Sequence, residues 1–180
     1  RPFSINRRGF VVSEGAGCII LATDEFVKTH GLKSNIEMAG WSMTSDASHF
    51  VSPNLATVQR CMEETIAHAG LKPEDVDAIN AHATSTKIGD KIEADALKNI
   101  FGDKMPPVSA NKSQLGHAMG ASSAIEAILA MEGMKQDTLL PTINYSPDRE
   151  IVIDCVAEGA RKLQQEFVLK NAFGFGGCNS

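Results

Sequence analysis

The sequence predicts an α/β layered fold, and three observations carry the prediction. Strand-length apolar runs alternate with helix-length segments whose apolar residues recur every three or four positions. Glycine, proline and asparagine fall at the junctions between them. The polar segments richest in histidine, lysine and hydroxyl side chains each follow a predicted strand, where open α/β sheets place their sites.

Taken in order, Gly9 to Thr23 reads as strand–turn–strand: Phe10-Val11-Val12, a Ser13 to Gly17 turn, then Cys18-Ile19-Ile20-Leu21. A continuous apolar run bounded by glycines suits a strand buried on both faces. Glu25 to Gly31 predicts a short helix ended by its glycine. Ile36 to Met43 predicts a strand that runs into the polar loop Thr44 to His49. Leu55, Val58, Met62, Ile66 and Ala69 lie on one helical face, with Pro53-Asn54 before them and Gly70 after. Val76 to Ala81 predicts a strand after the Lys72 to Asp75 turn. Asp90 is placed to cap a helix carrying Ile92, Ala96, Leu97 and Ile100, with Gly102 beyond its end. Pro107 to Ala110 predicts a short strand, and a third helix is expected from about His117 to Lys135. Its small residues from Ala118 to Ala124 let another backbone approach, so this helix is expected to be central and buried. Ile151 to Val156 and Phe167 to Phe173 close the chain as strands.

At 180 residues, 43% hydrophobic and 22% charged, the chain can form one sizeable core. A net charge of −5 with scattered Lys and Arg argues against a nucleic-acid surface or a polybasic membrane anchor. No apolar run approaches the roughly 18 residues of a membrane span. Cys18, Cys61, Cys155 and Cys178 are widely spaced, without CxxC or a Cys/His metal pattern, which reads as reduced thiols in a cytoplasmic protein. The chain opens at Arg1 without Met and closes at Ser180 directly after a glycine-rich loop. Part of a larger protein is therefore expected, with a following strand missing.

Three segments carry chemistry. In Asn80-Ala81-His82-Ala83-Thr84-Ser85-Thr86 a histidine leaves an apolar strand into hydroxyl residues. His82 there either meets a ligand, with Thr84 and Thr86 binding amides or carbonyls of an extended arm, or is satisfied by backbone in a strand-end turn. In Ser109 to His117, Lys112 precedes a histidine that opens a predicted helix, whose dipole would keep His117 neutral. A buried Lys112 needs an acidic partner, for which Glu126 on the following helix is the candidate; the alternative is a solvated lysine and a capping histidine. In Phe173-Gly174-Phe175-Gly176-Gly177-Cys178-Asn179 the glycines permit close backbone approach, which serves an oxyanion or simply a tight loop.

Together these segments resemble the β-ketoacyl-acyl-carrier-protein synthases of type II, condensing enzymes of the thiolase superfamily. The resemblance rests on Gly9-Phe10-Val11, Glu14 to Gly17, Ser45-Asp46-Ala47 with His49, Asn80 with His82, Thr84 and Thr86, and Gly89-Asp90 with Glu93. It continues through Lys112-Ser113, Gly116-His117, Gly120-Ala121, Glu126, and Phe173 to Gly177 with Asn179. The order and approximate spacing agree from end to end. Ala83 departs from the family's glycine, Arg8 from an aspartate, Ser13 from a glycine and Lys87 from a common proline.

The resemblance implies a thiolase-like C-terminal half, a mixed sheet layered with helices as α-β-α, with residues 1–32 ending the N-terminal half and 33–180 forming the C-terminal domain. It implies His82 and His117 as the active-site histidines and Lys112 with Glu126 as a buried pair supporting His117. Thr84 and Thr86 would contact the phosphopantetheine arm, beside Phe173 and Gly174. Phe175 would be the gating aromatic whose backbone N–H helps form an oxyanion hole. The implied reaction is decarboxylative condensation of malonyl-acyl carrier protein with an acyl chain held on a cysteine. That cysteine belongs to the N-terminal half, and none of the four cysteines here takes its place. The implied partners are acyl carrier protein and a second copy in a homodimer, and no metal or redox cofactor is called for. A polyketide ketosynthase shares this chemistry. A non-catalytic chain-length factor is disfavoured by His82, His117 and Lys112. A thiolase is disfavoured because Cys178 is followed by Asn179-Ser180 and not by a Cys-x-Gly turn.

Overall fold

A computed structural model of the chain describes residues 1–34 and 36–180. In chain order the elements are α1 (Asp24–Thr29), β1 (Thr44–Ser45), α2 (Leu55–His68), β2 (Ala78–Asn80), α3 (Lys87–Phe101), β3 (Val108–Ser109), α4 (Lys112–Leu115), α5 (Ser122–Lys135), β4 (Thr138–Leu139), β5 (Arg161–Lys162), β6 (Val168–Lys170), β7 (Phe173–Gly174) and β8 (Cys178–Asn179). The central sheet is parallel in the order β3-β2-β6, and Cys155 extends it by a bridge to Val108. Two antiparallel sheets, β1-β8-β7 and β4-β5, flank it, so the arrangement is mixed.

Side chains alternate across the central sheet, and this sets the layers. Ile79, Ala81, Val108, Ala110 and Leu169 face a core supplied by Val58, Met62 and Ile66 of α2 and Ala94, Leu97 and Phe101 of α3. Ala78 and Val168 face the other way, into a smaller cluster with Leu139 and Val156, on the side of α5 and β4. Burying each Val, Leu or Ile of the main core contributes roughly 1.5–3 kcal/mol. Phe3 is fully buried in that same core, and its N–H donates to Asp90 at 2.7 Å. Arg7 pairs with Asp148, which ties the first residues to the far end of the chain.

Several elements form for reasons other than those read from the sequence. Asp90 does not cap α3: Thr86 does, its Oγ1 accepting from Gly89 N at 3.2 Å, while Asp90 is fully buried one turn inside the helix. His117 does not open a helix. It follows α4 and Gly116, and a single 3-10 turn (Met119–Ala121) separates it from α5. Gly116 has φ +72, and a Cβ there would lie 2.8 Å from Val11 O, so only glycine lets this turn touch the segment beside it. α5 is half-buried, with only Ser122 and Glu126 fully covered, because one of its sides is open. Its small residues still admit a close neighbour: a Cβ on Gly17 would lie 2.9 Å from Ala124 Cβ.

The strand–turn–strand expected from Gly9 to Thr23 reduces to one parallel bridge, Val12 to His117. Val11, Ile20 and Leu21 are 75%, 90% and 70% exposed. An apolar run becomes a doubly buried strand only beside neighbouring strands, and among the described residues none pairs with Cys18 to Leu21. The strand expected over Ile36 to Met43 likewise shrinks to Thr44–Ser45, outside its bounds, with Met38, Trp41 and Met43 exposed. The glycine-rich loop is followed by the two-residue strand β8, which pairs with both β1 and β7. Among the described residues no helix is long and apolar enough to cross a membrane.

Candidate active site

Because β2, β3 and β6 are parallel, their C-terminal ends open on one side of the sheet. The segment after β2 carries His82, Thr84 and Thr86; that after β3 carries Lys112 and His117; that after β6 carries Phe173, Gly174 and Phe175. Sequence separation is thereby converted into proximity. His82, His117, Thr84, Thr86, Phe173, Gly174 and Phe175 line one cavity of about 690 Å³.

The two imidazoles meet edge to face, with ring centroids 5.7 Å apart and planes at 85°. Phe173 packs its ring against His82 at 5.2 Å and Phe10 packs against His117 at 5.0 Å, so an aromatic wall holds each histidine. The backbone of His82 is anchored too. Glu93, fully buried on α3, accepts from His82 N at 2.9 Å and Ala83 N at 2.8 Å, and from Asn171 Nδ2 at 2.9 Å. His117 is clamped on both sides by the Val11–Ser13 segment: its N–H donates to Val11 O at 2.8 Å and its carbonyl accepts from Ser13 N at 3.1 Å.

Lys112 is buried, and its Nζ lies 2.6 Å from Glu126 Oε1 and 3.4 Å from His82 Nδ1. An ammonium has donors and no acceptor, so His82 Nδ1 accepts and the ring proton sits on Nε2. The histidine that Lys112 touches is thus His82, whereas the sequence reading paired it with support of His117. Burial pushes the His82 pKa well below its ordinary value, and the Lys112 and Lys170 ammoniums push the same way. His117 is lowered as well, by burial and then by Lys112, with Glu126 opposing. Both rings are neutral at pH 7, for reasons of burial and nearby cations and not of a helix dipole.

Thr84 and Thr86 stand on one wall with their hydroxyls 3.3 Å apart, though Thr86 also serves as the α3 cap. Phe175 is 59% exposed and stacked on Phe50 at 5.7 Å, on the wall of the same cavity. Its loop is latched to the Asp46–Phe50 segment by Gly176 N to Phe50 O at 2.8 Å and Asp46 N to Gly177 O at 2.8 Å. Gly177 has φ +79 and a Cβ there would lie 2.5 Å from Asp46 Cβ, so the latch requires glycine.

Sequence reasoning missed three contributors. Lys170 places Nζ 3.2 Å from Glu126 Oε2, so one buried carboxylate bridges two lysines, each on its own oxygen. Its only signal was a lysine after Val168-Leu169 in a strand running into the glycine-rich loop. Asn171 holds Glu93, and Ser122 lies 3.0 Å from His117 Nδ1; neither residue type announces such a contact in sequence.

A domain model described as beta-ketoacyl synthase, C-terminal domain, matches residues 36–146. The 3-oxoacyl-[acyl-carrier-protein] synthase 2 of Coxiella burnetii is 39% identical over 99% of this chain and 44% of its own length. Among solved structures, the ishigamide ketosynthase/chain length factor superposes with a TM-score of 0.95 at 35% identity, over 99% of this chain and 45% of its own. A type II polyketide synthase acyl-carrier protein in complex with its ketosynthase gives 0.93 at 32%, over the same shares, 99% and 45%. The class is that of the thiolase-fold ketosynthases. The chain belongs to the β-ketoacyl synthase family and matches that family's C-terminal domain. It spans under half the length of the relatives it matches.

Proposed function

We propose that the chain supplies the decarboxylation half of a 3-oxoacyl-[acyl-carrier-protein] synthase of fatty acid biosynthesis. The observation that carries this reading is the pair of neutral histidines, His82 and His117, facing one cavity. The malonyl C–C bond breaks, CO2 leaves, and its electron pair moves into the thioester as an enolate. Nε2–H of His82, with His117 beside it, stabilises the oxygen charge. The enolate carbon then attacks the acyl thioester, and a cysteine thiolate departs as the leaving group. Lys112, held by Glu126, keeps His82 in the donating tautomer and neutral. Thr84, Thr86, Phe173 and Gly174 line the path of the phosphopantetheine arm, and the Phe175 N–H serves the acyl oxyanion. No bound cofactor takes part. The partners are acyl carrier protein, as for the similar polyketide ketosynthase solved with its carrier, and a second copy of the full-length enzyme in the cytoplasm.

The nucleophile comes from the other half. Burial raises the thiol pKa of Cys61, and that of Cys155 to about 11, which suppresses both thiolates. Cys18 and Cys178 are exposed, and Cys178 lines the cavity as the last strand begins. Intact-mass spectrometry after incubation with acyl-carrier protein tests the assignment. The expected outcome is an acyl adduct on the full-length enzyme and none on this chain. A stable thioester on Cys178 would relocate the nucleophile. A second reading, a chain-length-factor-like partner, draws support from the similarity to a ketosynthase/chain length factor pair. It requires the full-length protein to take no acyl group, and a polyketide role would appear as turnover of polyketide starter carriers in preference to saturated ones.

A further inference from the structure

We infer that Ser122 is a positioning residue that selects the tautomer of His117 and aims its Nε2–H into the cavity. The inference rests on the proposed decarboxylation only for its catalytic consequence; the contact itself is geometric.

Ser122 is buried at the first position of α5, and its Oγ lies 3.0 Å from His117 Nδ1 and 2.9 Å from Ala118 N. The Ala118 amide can only donate, so it occupies one acceptor site on the hydroxyl oxygen. The hydroxyl proton then needs an acceptor, and a buried hydroxyl left without one is costly. Among the described residues the acceptor in reach is His117 Nδ1. Nδ1 is therefore the lone-pair nitrogen and Nε2 carries the proton. The reverse arrangement, Nδ1–H donating to Oγ, would leave the serine proton with no partner and aim a lone pair at an enolate.

The two histidines reach the same tautomer by different devices. His82 is set by a cation, Lys112, whereas His117 is set by a neutral hydroxyl. The 3-10 turn Met119–Ala121 makes the contact possible, because it brings the start of α5 back over the histidine five residues before it. A helix running straight from His117 would place Ser122 past the facing position one turn on.

The test uses the full-length enzyme with histidine side-chain nitrogens labelled, comparing wild type with Ser122→Ala and Ser122→Thr. In wild type, the 15N signals of His117 should report a single Nε2–H tautomer. Ser122→Ala should divide the ring between tautomers and lower malonyl decarboxylation by roughly 10-fold in kcat, with KM little changed. It should also shift the acidic limb of the rate profile to higher pH, because the donor that stabilised neutral Nδ1 is gone. Ser122→Thr, which keeps the hydroxyl, should restore all three. Unchanged His82 signals in each variant show that the fold has survived. A single unchanged Nε2–H tautomer in Ser122→Ala, at wild-type rate, overturns the inference. Tautomer loss in Ser122→Ala, with no decarboxylation even in wild type, upholds the contact and overturns the proposed function instead.

Discussion

Lys112 and Lys170 grip the same carboxylate from two elements: Nζ of the first is 2.6 Å from Glu126 Oε1 and Nζ of the second 3.2 Å from Oε2. This shared arrangement makes the three residues unequal. Losing either lysine leaves Glu126 with one partner, whereas losing the glutamate takes the carboxylate from both ammoniums at once, leaving buried Lys112 with His82 Nδ1 and the partly exposed Lys170 with Asn171 O. Removing one partner of a buried pair typically costs about 3–5 kcal/mol. Glu126→Gln is expected to reach or exceed that range, and Lys112→Met to fall below it, by urea unfolding. Equal losses would mean that Lys170 does not share the charge.

The same asymmetry separates stability from catalysis. Lys112→Met should depress malonyl decarboxylation more than its stability loss suggests, because His82 Nδ1 loses the donor that fixes its tautomer. Lys170→Met leaves that contact in place, so decarboxylation should survive better. Steady-state rates on malonyl-acyl carrier protein at fixed folded fraction distinguish the two.

Each histidine is expected to matter on its own. His82→Ala or His117→Ala should lower decarboxylation by about 10²–10³, the usual cost of one preorganised donor to a developing oxyanion. Acylation of the enzyme by acyl-carrier protein should persist in both variants, which mass spectrometry would show. Loss of acylation would place the histidines in the transfer step.

The pH dependence follows from the direction of the histidine shifts. Both folded-state pKa values lie below the ordinary 6.5, so the unfolded chain binds more protons at acid pH. Stability from these groups is fully present above about pH 6.5 and is lost as pH falls through the lowered values. Decarboxylation should follow, flat through neutrality and falling on the acid side. Because His82 is lowered further than His117, the first protonation should be that of His117. Rate profiles of the His117→Gln variant, with its acidic limb moved to lower pH, would check this.

Ala83 has φ +22 where the family pattern carries glycine, and it is buried beside the anchored His82 backbone. A non-glycine residue in the left-handed region costs about 1–2 kcal/mol, against about 0.5–1 kcal/mol of extra chain entropy for glycine. Ala83→Gly is therefore expected to raise stability by under about 1 kcal/mol in thermal unfolding. A loss would show that Ala83 contributes more through its packing than it costs in strain.

The helices were the most legible elements. α2 announced itself through Val58, Met62 and Ile66 on one face and Asn54 at its cap, because periodicity and capping are local properties. The strand cores of β2 and β3 were legible for the same reason. The runs Cys18 to Leu21 and Ile36 to Met43 misled, since apolarity states that a segment can be buried but not what will cover it. The α3 cap went to Thr86 because the helix starts at Lys87, which leaves Asp90 inside the first turn, where its carboxylate takes Phe3 N, a contact between residues far apart in the chain.

The site divides in the same way. The sequence by itself determined which residues are proposed to carry the chemistry: His82, His117, Lys112, Glu126 and the glycine-rich loop form an ordered set of motifs, each legible within a few positions. Tertiary structure alone decided their relations. It put Lys112 against His82, brought Lys170 to the far oxygen of Glu126, and folded Ser122 onto His117 through a 3-10 turn. The physical reason is that parallel strands open their ends on one side, so residues distant in sequence share a cavity. Tautomers and charges are then set by neighbours that no local pattern names.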